Sequence, residues 1–299
     1  MALDLVYFPL RPVTVLRVDG KTKFLARLLA NDASKLEVGE VRRSVFLNAT
    51  GGMLGTALLA RESLTDYSIL LLEENADALE AWARQVSEAF DAEVKTEKLF
   101  ALPFLGDLAG EAPASGRMIR KTKLALFNRG WMTYAVGSKE DATELMGKVA
   151  AAGAKAGEEG VVEALRILAA EASYGLEYDE TTSPLEAGFE DVPDFTDPSR
   201  VFIGRALTEA RKEKGDYERL HLVAFNVPFD PATLTEVPLV IVGEMGYQPT
   251  SIARIPDMNL TVALVRLPHA VEVGSTLDAL VKTEPATTAK SVLVLSPQT

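Results

Sequence analysis

The stretch Leu165–Phe189, LRILAAEASYGLEYDETTSPLEAGF, decides how the chain is read. Its first part is alanine-rich with helical spacing and completes a helix expected over Val161–Ala172. From Glu177 onward Pro, Asp and Thr crowd in and periodicity is lost, as far as Arg200. A segment of that composition is a long ordered connection, and it places a boundary near Pro193–Pro198.

Upstream, Val13–Val18 alternates loosely and ends at Asp19-Gly20, a strand and its turn. Phe24, Leu25, Leu28 and Leu29 then fall at helical spacing and stop at Asn31-Asp32. Val45–Asn48, Gly51-Gly52 and Leu54–Arg61 give strand, turn, strand, and Tyr67–Leu72 gives another strand. Ala76–Phe90 is an amphipathic helix with Leu79, Trp82, Ala83, Val86 and Phe90 on one face. The rhythm repeats with strands at Lys123–Phe127 and Trp131–Val136 and helices at Asp141–Ala152 and Val161–Ala172. Downstream, Leu220–Phe225, Val237–Val242, Thr261–Val265 and Ser291–Leu295 are short β-rich runs, the pattern of a small antiparallel barrel. The expected class is α+β: two ferredoxin-like units, residues 1–100 and 101–195, and a C-terminal β-barrel, residues 196–299.

Composition narrows the function. With 31 Lys and Arg against 43 Asp and Glu, the 299-residue chain carries a net charge of −12. That argues against nucleic acid and anionic membranes as partners. There is no cysteine, which excludes thiolate chemistry, disulfides and iron–sulfur clusters. His221 and His269 are the only histidines, and neither lies near a nucleophile elbow, so no metal site is expected. No apolar run approaches the ~20 residues of a membrane span, and the expectation is a soluble, cytoplasmic protein.

Three stretches resemble the glycine-cleavage T-protein family of tetrahydrofolate-dependent aminomethyltransferases. The first is Val18–Gly52, VDGKTKFLARLLANDASKLEVGEVRRSVFLNATGG, with its helix, its Asn31-Asp32 stop, a Leu-x-x-Gly step and the Gly-Gly turn. The second is Leu165–Phe189, with Tyr174-Gly175, Asp179-Glu180-Thr181-Thr182 and Pro184-Leu185-Glu186-Ala187-Gly188. The third is Phe202-Ile203-Gly204-Arg205. The resemblance implies a cloverleaf of the three expected domains, tetrahydrofolate as cofactor and one-carbon transfer as the activity.

It also implies an Asp-Asp pair after the Gly-Gly turn, one carboxylate of which acts on the folate nitrogen. Here those positions are Gly55 and Thr56. A pterin-reading Glu and Arg are implied where this chain has Met132 and Val162, and an Asn where it has Leu72 or Glu73. A carboxylate pairs with two parallel N–H donors of a pterin, whereas Met and Val cannot. If the chain is a transferase or demethylase with a rebuilt pocket, Thr56 and Glu163 are its candidate catalytic residues. Asn48, Trp131, Met132, Glu171 and Tyr174 are then its candidate cofactor-binding residues. The alternative is a non-catalytic T-protein-like binding or assembly factor, for a small molecule or a protein, that does not bind folate. The basic run Arg117, Arg120, Lys121, Lys123 and Arg129 is either a polyanion site or a solvated strand edge.

Overall fold

The structure, a computed structural model, describes residues 5–296 apart from 21, 74, 107, 109–111 and 287–288. It divides into two compact units, the first formed by residues up to Glu159 with Asp191–Arg205, the second by Gly160–Glu190 with the residues from Ala206 onward.

In chain order the first unit contains β1 (Val6–Tyr7), β2 (Arg11–Asp19), α1 (Thr22–Leu28), β3 (Val41–Leu47), β4 (Met53–Arg61), β5 (Asp66–Leu71), α2 (Ala76–Glu88), β6 (Val94–Leu105), β7 (Met118–Arg120), β8 (Leu124–Asn128), β9 (Thr133–Gly137), α3 (Lys139–Ala151) and β10 (Lys155–Ala156). The main sheet runs β3-β4-β5-β2-β6-β9-β8-β7, and every neighbouring pair is antiparallel. The long strand β6 pairs with β2 over Val94–Ala101 and with β9 over Phe100–Phe104, so the strands of both α+β segments join one sheet. The ends of that path also meet: Val41 N donates to Gly116 O at 2.7 Å and Met118 N to Gly39 O at 2.8 Å. Strand edges that would otherwise offer unpaired backbone groups are closed off at this end.

Glu62, just beyond β4, reinforces the closure. It accepts two hydrogen bonds from Arg120 of β7, at 2.7 and 2.6 Å, and pairs with Arg17 of β2 and with Ser68. Burial opposes its charge, yet the bonds from Arg120 and Ser68 and the two arginine charges outweigh it, and the carboxyl is held below its ordinary range. The apolar stripes of α1 and α2 (Phe24, Leu25, Leu28, Leu79, Ala83) cover one face of the sheet over Leu16, Leu59 and Ile69. A smaller core of Leu102, Phe104, Leu126 and Ala135 packs Leu145 and Met146 of α3.

Between β3 and β4 the chain turns at Asn48–Gly52. The Asn48 side-chain oxygen accepts from Thr50 N and Gly52 N, both at 3.0 Å, an Asx-type turn. The returning segment Asp191–Arg205 seats on this turn at Gly204, whose φ is +82°. A Cβ there would lie 2.7 Å from Asn48 O and 2.9 Å from Gly51 Cα.

The second unit contains α4 (Glu159–Leu168) and α5 (Arg205–Lys214), each starting at the unit boundary, then β11 (Glu218–Phe225), β12 (Leu239–Val242), β13 (Met245–Tyr247), β14 (Pro249–Ile255), β15 (Leu260–Pro268), β16 (Thr276–Leu280) and β17 (Ser291–Leu295). Its antiparallel sheet runs β13-β12-β16-β17-β11-β15-β14, and β13 also touches β15, so the sheet curls into a half-barrel around Val223, Val240, Val265 and Val292. The α+β class and the curled C-terminal sheet are as expected. The helix expected to reach Ala172 stops at Leu168, because Ala170 adopts φ +50° and breaks the helical path.

Two predictions follow from these contacts. Glu62 has a lower pKa folded than unfolded, so its stabilisation is full above the unfolded carboxylate range and is lost as pH falls from there through the folded pKa. In urea unfolding, Glu62→Gln should be less stable than wild type by roughly 1–3 kcal/mol at pH 7, and the difference should shrink as pH falls through the lowered folded pKa. Gly204→Ala should cost about 2 kcal/mol or more in the same assay, against ~1 kcal/mol for Gly153→Ala, which shares a positive φ but meets no atom within 4 Å.

Candidate functional site

The site begins on β4, where Gly55 and Thr56 occupy the positions at which a carboxylate pair is implied. A Cβ on Gly55 would lie 2.6 and 2.9 Å from the two methyls of Leu79 and 3.1 Å from Asn75 Nδ2. Helix α2 therefore sits directly on the strand at that residue, and the volume a carboxylate would need is filled by leucine. Thr56 alternates to the other side of the pleat, and its hydroxyl donates to Glu73 Oε1 at 2.6 Å. Glu73 follows β5, so the acid that Thr56 meets comes from a different strand.

Glu73 lines a cleft of about 520 Å³ together with Arg11 and Thr14 of β2, Leu72, Asp77 of α2, and Lys98 and Phe100 of β6. Lys98 donates to Asp77 at 2.6 Å and Thr14 at 3.1 Å and pairs with Glu80 at 3.0 Å. Its hydrogen bonds to Asp77 and Glu80 push its pKa up, so it stays an ammonium. Arg11 donates from Nη2 to Leu72 O at 3.2 Å.

A second polar cluster lies in the other unit. Arg166 of α4 pairs with Glu177, which has no exposed surface, at 2.9 Å, and donates to Ser251 Oγ of β14 at 2.8 Å. Glu177 also accepts from Ser173 N at 2.9 Å, Thr250 Oγ1 at 3.0 Å and Ser251. Every oxygen of this buried carboxylate is answered, the condition under which a buried pair is tolerated. Burial works against the Arg166 charge, but Glu163 and Glu177 outweigh it and raise its pKa.

Of the residues singled out from sequence, Asn48, Thr56, Trp131 and Met132 fall in the first unit and Glu163, Glu171 and Tyr174 in the second. Asn48 organises its turn. Met132 is fully buried, and Trp131 is half-buried with the Arg129 guanidinium 4.9 Å from its ring centre. Glu163 forms a two-pronged ion pair with Arg166, at 2.8 and 2.7 Å. Glu171 is buried, and the Tyr174 hydroxyl donates to Glu180. The basic run is largely neutralised from within, Arg117 by Glu37, Arg120 by Glu62, and Lys123 by Asp141 and Glu144, which favours the strand-edge account over a polyanion site.

Sequence reasoning named Glu73 only as one of two residues at an implied Asn position, and passed over Arg11 and Glu177. Glu73-Glu74-Asn75 reads as the acidic entry to a helix, and nothing local marks the pairing of Glu177 with a residue eleven positions earlier. Among the described residues no group of three or more His, Asp and Glu is placed to hold a metal ion, and no helix is long and apolar enough to cross a membrane.

No protein-family model matches the sequence. Curated aminomethyltransferases are similar: that of Nitrosococcus oceani is 27% identical over 231 residues, 70% of this chain and 62% of that protein. That of Francisella philomiragia is 26% identical over 225 residues, covering 66% and 62%, and that of Geobacillus thermodenitrificans 28% over 239 residues, covering 69% and 63%. The chain thus spans about three fifths of the length of the curated relatives it matches. The crystal structure of the glycine cleavage system aminomethyltransferase T from Bartonella henselae superimposes with a TM-score of 0.82 at 17% identity, covering 98% of this chain and 85% of that one. By sequence and by fold this is a T-protein-like chain, at low identity.

The Gly55–Leu79 contact can be tested by a double-mutant cycle. Gly55→Ala should cost about 1–3 kcal/mol in the wild type, and in a Leu79→Ala background it should cost nothing or stabilise, since the strand then gains a side chain with room for it.

Proposed function

We propose that this chain is a binding protein built on the T-protein fold and does not carry out folate-dependent aminomethyl transfer. The packing of Leu79 against Gly55 carries this reading, because it fills the place of one of the two carboxylates that the resemblance implies beside the reacting nitrogen. Two further positions agree with it. Met132, where a pterin-reading Glu is implied, has no exposed surface, and Val162 offers no charge where an Arg is implied. An unpaired buried acid in such a place costs roughly 1–3 kcal/mol or more, a cost that apolar residues avoid.

The residues at these positions do not fit tetrahydrofolate as the resemblance would have them hold it, and no chemical step is drawn through it. What the chain retains is a scaffold with a charged cleft lined by Arg11, Glu73, Asp77 and Lys98, suited to holding a ligand in place. One observation favours a second reading, a one-carbon transferase with a relocated acid: Glu73, a residue of the cleft wall, accepts a hydrogen bond from Thr56.

Titration with a reduced folate, followed by calorimetry and by the fluorescence of Trp82 and Trp131, separates the two. The expected result is no saturable binding up to about 0.5 mM. Micromolar saturation, lost in Glu73→Gln, would establish the transferase reading instead.

A further inference from the structure

One face of β11 carries Arg219, His221, Val223 and Phe225 in alternation, and the last two belong to the core of the half-barrel. His221 is 4% exposed and pairs across the sheet with Val265 of β15. Three groups meet its ring. Nδ1 lies 2.8 Å from the Arg219 carbonyl oxygen, Nε2 lies 3.1 Å from that of Val271, and the Arg219 Nε–H donates to Nε2 at 3.2 Å. No single protonation state answers all three. The two carbonyls call for two ring N–H donors, which the imidazolium has, whereas the guanidinium calls for a lone pair on Nε2, which the neutral Nδ1–H tautomer offers.

In the neutral state Arg219 spans the conflict, since its Nη2 also donates to the Val271 carbonyl, at 3.3 Å. Its Nη1 stands 3.3 Å from Glu190, the last residue of the second unit before the chain returns to the first. We infer that His221 and Arg219 form a proton-operated latch: a proton taken up by Nε2 gives the Val271 carbonyl to the imidazolium and leaves the guanidinium to Glu190. One proton enters from solvent, the Nε–H to Nε2 hydrogen bond breaks, and an Nε2–H to carbonyl bond forms at a separation already suited to it. Burial opposes the imidazolium, and the Arg219 charge adds to that; the two carbonyls and Glu190 favour it. The balance holds His221 below its ordinary value of 6.5, so the latch is set at neutral pH and released in acid. Tyr217, just before β11, stacks on His269 at 4.8 Å, and burial and Glu190 push its hydroxyl up, so it stays neutral throughout.

The test is a pH titration of the full chain by NMR, with nitrogen labels in histidine and arginine; His269→Gln assigns the two imidazoles. At neutral pH His221 should be the Nδ1–H tautomer. It should titrate below histidine in the urea-unfolded chain, and the Arg219 Nε–H signal should move with the same midpoint. Arg219→Gln should raise that midpoint by about half a pH unit or more, and Glu190→Gln should lower it. A histidine that is merely buried would also titrate low, but neither variant would move it. Stability gives a second readout. With the folded pKa below the unfolded one, the unfolded chain binds more protons between the two, so stability falls as pH drops from about 6.5 to the folded value. In urea unfolding His221→Gln, which takes up no proton, should therefore lose less stability than the wild type on going from about pH 7 to pH 5. The inference is overturned if His221 is the Nε2–H tautomer at neutral pH, if the Arg219 signal does not follow the titration, if a folded Arg219→Gln leaves the midpoint in place, or if the wild type and His221→Gln lose stability in parallel. The wild-type spectra decide the case where a variant does not fold.

Discussion

Arg200 is 7% exposed, and its guanidinium donates to the carbonyls of Ala30 at 2.8 Å, Leu29 at 2.7 Å and Asn31 at 2.6 Å. These carbonyls lie just past the C-terminus of α1, where a cation also meets the favourable end of the helix dipole. The residue belongs to the segment Asp191–Arg205, which returns to the first unit after the chain has already left it. Four residues on, Gly204 rests on the Asn48–Gly52 turn, while Ile203 N donates to Arg27 O at 3.1 Å. One passage of fifteen residues thereby fixes both the end of α1 and the β3–β4 turn. The position of β4, and with it of Gly55 and Thr56, depends on that passage. Its polar interior is permitted because the donors meet backbone carbonyls that would otherwise be buried unsatisfied.

The same economy explains what has happened at β4. A strand buried on both sides can present chemistry only where a neighbouring element leaves room, and α2 leaves none at Gly55. Had Leu79 been smaller, the position could carry a side chain. With leucine there, glycine is the residue the packing accepts. The carboxylate in this part of the unit comes instead from Glu73, at the end of β5, oriented by Thr56.

Elements whose period is written locally were legible in the sequence. Ala76–Phe90 was readable from its stripe, and its buried Leu79 and Ala83 lie on the expected face. The β3–β4 hairpin was readable from Gly51-Gly52. The joining of the strands into one sheet was not, because β6 serves two partners along its length and nothing in VKTEKLFALPFL says where one ends and the other begins. The contact of Gly39–Val41 with Gly116–Met118 is a backbone pairing across some 75 residues, invisible to composition. β13, β14 and β16 are short and broken by Gly, Pro or charge, which weakens the period-2 signal. At the site, Thr56 was legible from its place after the Gly-Gly turn. Its partner Glu73 was not, since a hydrogen bond between residues seventeen positions apart has no local signature.

The segments that carry the resemblance are built into the scaffold. In Pro184-Leu185-Glu186-Ala187-Gly188, Glu186 reaches back to Ser183 N at 2.8 Å while the Ser183 hydroxyl accepts from Leu185 N, a reciprocal cap of the kind that fixes a helical turn. Leu185 and Ala187 have no exposed surface, and Gly188 sits at φ +77°. Asp179 accepts from Thr181 N at 2.9 Å and from the hydroxyls of Thr181 and Thr182, closing the turn before it. Asn48, Arg200 and Gly204 play comparable parts in the first unit. Each of these residues is tied to backbone, so replacing it would cost the fold before it cost any reaction. The resemblance implies ligand-facing residues where this chain has Gly55, Met132 and Val162, and none of these scaffold motifs includes those positions. A chain can therefore keep the scaffold motifs at low overall identity while its ligand changes, which is why the function of this one has to be argued from the cleft and its charges.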